Sequence, residues 1–155
     1  MKTLGERFWS KVNQGDSCWE WFGCRIPGGY GQIYVEGKML LAHRVSYSLT
    51  NGPIPDGLMV DHMCHNRACV RPDHLRIATA KQNMENQVGA MSNNRSCGIR
   101  GVTWKASQNR WQATVGHHGK RYYVGLYVNV EDAAKAVRDA RNRLFTHNIQ
   151  DRGQK

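Results

Sequence analysis

Between Val60 and Asn83 the sequence runs VDHMCHNRACVRPDHLRIATAKQN and gathers three histidines, two cysteines, two aspartates and two asparagines. These side chains sort into two kinds of chemistry. Thiolate and imidazole suit Zn2+, which in structural sites takes four nitrogen or sulfur ligands in a tetrahedron; carboxylate and amide oxygens suit Mg2+ or Mn2+. Cys64, Cys69 and His74 supply three soft ligands, and closing a tetrahedron needs a fourth. Cys18 and Cys24 both lie upstream, and spacing alone does not choose between them. Asp61, His62 and Asn83 form the second group, oxygen donors for a hydrated cation beside an imidazole that can move a proton. The segment therefore reads as two sites for two metals, Zn2+ in one and Mg2+ or Mn2+ in the other.

For these groups to meet, the elements around them must fold back on one another. LMVDH reads as a short strand delivering Asp61 and His62, and Thr79 is a plausible N-cap for a helix over AKQNMENQV that carries Asn83. Zinc would pin the loop between that strand and that helix. Upstream, TLGERFWSKV can form a short helix, YGQIYVEGKML a hairpin about Glu-Gly, and LLAHRVSYSLTNG a helix ending at Asn-Gly. GPIPDGL is a rigid turn.

The 155 residues carry 22 Lys plus Arg against 12 Asp plus Glu, a net charge of +10. That favours a polyanionic partner. No apolar run reaches the roughly 18 residues of a membrane span, and MKTLGERFWSKV has charges where a signal peptide would be apolar, so an intracellular protein with no membrane partner is expected. Five cysteines in a reducing compartment read as metal ligands sooner than as disulfides. The charge is uneven: residues 1–95 hold 11 basic and 8 acidic side chains, net +3, and residues 96–155 hold 11 and 4, net +7.

The spacing H-x-C-x4-C-x4-H-x8-N from His62 resembles the His-Cys box homing endonucleases and the related HNH endonucleases, which share the ββα-metal fold. CWEW, GGYG, AHRVSY and GPIPDGL look like the flanks of phage-type HNH proteins, so the resemblance covers about residues 15–90. It implies His62 as general base, Asp61 and Asn83 as ligands of the catalytic cation, and Cys18, Cys64, Cys69 and His74 as the zinc set, leaving Cys24 spare. It also implies help from Arg44 at the leaving phosphate. Two positions depart from the common HNH pattern: His74 stands where many members have Asn, and Arg71 where phage relatives often show Asn. A phosphate contact and a solvated surface position are both open to Arg71.

The basic C-terminal third reads by period as three short strands, GIRGVTW, RWQATVGH and RYYVGLY, then the helix NVEDAAKAVRDARNRLF with Asn129 as N-cap. Its apolar stripe of Val130, Ala133, Ala134, Val137, Ala140 and Leu144 would receive Trp111, Ala113 and Val115 from the sheet, turning Arg110, Gln112 and Thr114 outward. A basic sheet face of that size can enter a DNA major groove. Residues 99–145 resemble the plant ethylene-response-factor (APETALA-type) DNA-binding domain, which implies contacts from Arg100, Lys105, Arg110, Arg121 and Tyr123; Gln112 joins them on the sheet face.

The expected fold class is α+β: a zinc-stabilised ββα-metal nuclease domain over 1–92, a linker at 93–98, a three-stranded antiparallel sheet packed on one helix over 99–147, and a tail from 148 to 155. The expected function is a site-specific, homing-type endonuclease acting on double-stranded DNA as a monomer or homodimer inside the host cell of a phage or mobile element. The alternative is a DNA-binding regulator with an inactive nuclease fold, which would have no need of Asp61, His62 and Asn83 together.

Overall fold

The structure is a computed structural model that describes residues 2–89 and 96–152. Residues 93–95 of the expected linker and 153–155 of the expected tail lie outside the described residues. The chain forms two compact units, 1–83 and 84–155.

In the first unit, α1 (Leu4–Trp9) starts at a capping box in which Thr3 and Glu6 satisfy each other's backbone N–H. Three antiparallel hairpins follow: β1 (Val12–Gln14) with β2 (Trp19–Trp21), β3 (Gln32–Val35) with β4 (Lys38–Leu41), and β5 (Met59–His62) with β6 (Leu75–Ala78). The helix α2 (Ala42–Asn51) leads from β4 towards β5. After Thr79 comes α3 (Ala80–Glu85), whose last two residues belong to the second unit, opened by a second capping box between Thr79 and Gln82. The expected helix over residues 80–88 is thus shorter, and β1, β2 and β6 are strands that short, mixed-polarity segments did not announce. Phe8, Trp21, Ile33, Ala42, Val45 and Val70 form the core. Trp21 is fully buried and its Nε1 donates to the Cys24 carbonyl at 3.0 Å. Gly31 is required there, because a Cβ would collide with the Trp21 indole.

In the second unit, β7 (Val102–Lys105), β8 (Arg110–His117) and β9 (Lys120–Tyr127) make an antiparallel sheet in that order, and α4 (Val130–Leu144) packs on it. Val102, Ala113 and Val115 meet Ala133, Val137, Ala140 and Phe145, all buried. The small alanines let the helix axis approach the sheet. Asn129 occupies the N-cap position of α4 but its side chain makes no cap bond to the backbone; its amide instead donates to Asp132 at 3.4 Å. Part of the expected tail is structured as α5 (Ile149–Arg152), where Asp151 accepts from Arg141 Nε at 2.6 Å and Nη2 at 2.9 Å.

Candidate functional site

The loop between β5 and β6 is stitched to β2 by the backbone. Trp21 N–H donates to the Ala68 carbonyl at 2.9 Å, Val70 N–H to Trp19 at 2.8 Å, and Cys69 faces Glu20 in an isolated antiparallel bridge. Met63 N–H donates to His74 at 2.9 Å and closes the base of the loop. This stitching carries the chain before β2, and with it Cys18, onto the loop. Arg71 reinforces it, donating from Nη1 to the Asp16 and Ser17 carbonyls at 2.8 and 2.7 Å. Its guanidinium thus anchors the segment before Cys18.

The outcome is a cluster of Cys18, Cys64, Cys69 and His74 whose ligand atoms all lie within 4.8 Å of one another. His74 Nδ1 is 3.6 Å from both Cys18 Sγ and Cys69 Sγ. A tetrahedron with metal–ligand bonds of about 2.1 to 2.3 Å has edges of about 3.6 Å, so the donor set and its spacing fit zinc. Burial raises the Cys64 thiol, and burial together with the adjacent Cys64 pushes Cys69 up to about 12. A bound cation would reverse that logic by favouring the thiolates. Cys24 stands apart and exposed.

Asp61 and His62 end β5 and are both buried. His62 Nε2 lies 3.0 Å from the carbonyl of Cys69. A carbonyl oxygen only accepts, so Nε2 carries the proton and Nδ1 carries the lone pair. Burial lowers the His62 pKa against the opposing influence of the Cys69 carbonyl and Asp61, which keeps the ring neutral near pH 7. Asp61 pairs across the ladder with Arg76, whose Nε and Nη2 donate to Oδ2. Asn83 reaches the same strand: its amide lies 3.8 Å from Met59 Sδ, two residues before Asp61 and on the same side of β5. One carboxylate and one amide oxygen are the hard donors Mg2+ or Mn2+ takes. Arg44 is half-buried on α2, next to His43.

His43 was not legible as a site residue, yet α2 places its ring 4.6 Å from that of His62. Burial, then His62, then Arg44 lower its pKa to about 3. The available signal was a histidine sharing the buried helix face of Ala42, Val45 and Ser46. Arg76, too, shows itself only through strand pairing.

In the second unit, the register pairs Lys105 with Arg110, Thr103 with Gln112, Thr114 with Tyr123 and Gly116 with Arg121, alternating with buried Val102, Ala113 and Val115. Lys105, Arg110, Gln112, Arg121 and Tyr123 therefore share the outer face of the sheet. Arg100 does not join them. Its guanidinium donates to the carbonyls of Met84, Glu85 and Gln87 at 2.8 to 3.1 Å and lies over Phe145.

Among the described residues, no helix is long and apolar enough to cross a membrane. The HNH endonuclease family profile matches residues 40–85, the stretch from β4 through α3. Protein 7.7 of Escherichia phage T7 is 41% identical over 73 residues, 47% of this chain and 56% of that protein. Protein 3.8 of the same phage is 33% identical over 93 residues, 60% of this chain and 73% of that protein. A protein of Acanthamoeba polyphaga mimivirus named "Uncharacterized HNH endonuclease L560" is 35% identical over 118 residues, 76% of this chain and 59% of that protein. The chain spans 56% and 60% of the length of two T7 relatives, proteins 7.7 and 2.8. No solved structure matches. The chain belongs to the same family as protein 3.8 of phage T7, and it carries an HNH endonuclease domain at residues 40–85.

Proposed function

We propose that this protein is a site-specific DNA endonuclease of the homing type that hydrolyses phosphodiester bonds of double-stranded DNA within a phage-infected host cell. The observation that supports the reading is the His62–Cys69 hydrogen bond: with Nε2 donating to the carbonyl, Nδ1 is the nitrogen that would act as the base. His62 Nδ1 takes a proton from the attacking water. Asp61 and Asn83 would hold Mg2+ or Mn2+, which when bound offsets the charge of the pentacovalent phosphorus and of the leaving 3′ oxygen. Arg44 neutralises the phosphate on the leaving side. The departing 3′ oxygen takes a proton from solvent, and the products carry 5′ phosphate and 3′ hydroxyl. A zinc ion on Cys18, Cys64, Cys69 and His74 serves the fold alone, since four protein ligands leave no open position.

The outer sheet face of the second unit supplies much of the affinity and most of the target choice, in the manner of the ethylene-response-factor domain it resembles. The basic excess after residue 95, 11 against 4, supports that role. One active site per chain reaches one scissile phosphate at a time, so a monomer nicks, and cutting both strands would call for a homodimer. Incubating supercoiled plasmid carrying a mapped genomic site with Mg2+ and either wild type or His62→Ala tests the reading. Nicked or linear product from wild type and almost none from the variant, at unchanged DNA binding, is the expected result; a positioned base contributes about 10²- to 10⁴-fold. Binding without any cutting by wild type would instead identify a DNA-binding regulator.

A further inference from the structure

We infer that His43 is a positioning residue for His62, holding the ring of the proposed base through a packed cluster of three rings, Tyr30, His43 and His62. This rests on the nuclease reading for its consequence, though not for its geometry. The His43 and His62 centroids are 4.6 Å apart, and Tyr30 lies 5.5 Å from His43 and 6.0 Å from His62. Arg67 covers Tyr30 at 5.4 Å and is itself tethered by a 3.0 Å bond from Nη1 to the Gly28 carbonyl. Arg67 thus covers the Tyr30 side of the cluster.

His43 is 5% exposed, and its Nδ1 is buried without a hydrogen-bond partner among the described residues. An unpaired buried nitrogen disfavours folding, so hydrogen bonding at Nδ1 does not explain this residue. What it offers His62 is a ring packed closely against it, tilted by 55°. The hydrogen bond from His62 Nε2 to the Cys69 carbonyl fixes one point of the ring, and a bond at one point does not by itself set the tilt about its own axis. Packing of His43 against the ring removes the tilt and directs Nδ1. The backing is stiff: α2 is held at its start by Ala42 N–H on the Gly31 carbonyl at 2.8 Å and lower down by Ser46 Oγ on the Val70 carbonyl.

The test uses zinc-loaded, full-length wild type, His43→Ala and His43→Phe, with two readouts. Long-range 1H–15N NMR reads the His62 tautomer, and steady-state cleavage of a plasmid with Mg2+ separates kcat from KM. Wild type and His43→Phe, which keeps a flat ring, should show one Nε2–H tautomer and kcat values within about threefold of each other. His43→Ala should show a mixture of tautomers and a kcat at least tenfold lower at unchanged KM, because a side chain only 5% exposed is screened from the substrate. A single Nε2–H tautomer and wild-type kcat in His43→Ala would overturn the inference, whatever His43→Phe does. If wild type cuts nothing while His43→Ala still mixes the tautomers, the positioning role stands and the nuclease reading falls.

Discussion

Arg76 stands directly opposite Asp61 in the β5–β6 ladder and donates to the same carboxylate oxygen, Oδ2, from Nε at 3.0 Å and Nη2 at 2.9 Å. Asp61 is 6% exposed, so its charge is carried almost wholly by this contact and its buried neighbours. Removing the arginine strands a charge in the interior. Arg76→Met should destabilise the protein by about 3 kcal/mol, and Asp61→Asn combined with Arg76→Met should recover most of that loss, because no buried charge is then left. Urea denaturation of Arg76→Met, of Asp61→Asn and of the double variant measures both. Full additivity of the two substitutions would show that the pair is uncoupled.

Zinc content should separate the two upstream cysteines. Cys18→Ser should lose the metal and much of the stability of the first unit, whereas Cys24→Ser should keep one zinc per chain, since only Cys18 lies in the cluster. Metal analysis of the purified variants decides it. A strong chelator should unfold the wild-type unit, as structural zinc and folding are coupled.

Acid should weaken the fold partly through His43. In the folded chain its pKa is about 3, against about 6.5 when unfolded. The unfolded state therefore takes the proton first. This contribution is complete above about pH 6.5 and is lost as pH falls from there towards 3, on the order of 5 kcal/mol at the acid end. His43→Gln should flatten the profile across that window. Tryptophan fluorescence of zinc-loaded wild type and variant, unfolded in urea at each pH, gives the difference, and parallel profiles would rule the contribution out.

The arginines of the second unit should divide into readers and struts. Arg110→Ala and Arg121→Ala should leave stability unchanged, lower DNA affinity and each reduce the slope of log affinity against log salt by about 0.9. Arg100→Ala should instead cost about 2 kcal/mol of stability, since three carbonyls lose a charged donor. Binding titrations over a salt series and thermal melts distinguish the two classes.

Ligand chemistry and its spacing were open to reading in the sequence, because Cys64, Cys69 and His74 fall within one short loop and thiolates have few other uses there. The alternation of β8 was equally plain: Trp111, Ala113 and Val115 turn to α4, and Arg110, Gln112 and Thr114 away from it. These are local properties, fixed by backbone periods of two and 3.6 residues. The choice between Cys18 and Cys24 was not local. It depended on β2 pairing with the zinc loop through Trp19 and Trp21, a contact across some fifty residues of chain. Nor did sequence mark the partner of Asp61, since strand register is set by which faces are buried once β6 exists. His43 and Arg100 carry the same lesson from opposite sides. A histidine in a helix and an arginine beside a strand look alike in any sequence, and only the packing around them makes one a neighbour of the base and the other a tie for three carbonyls.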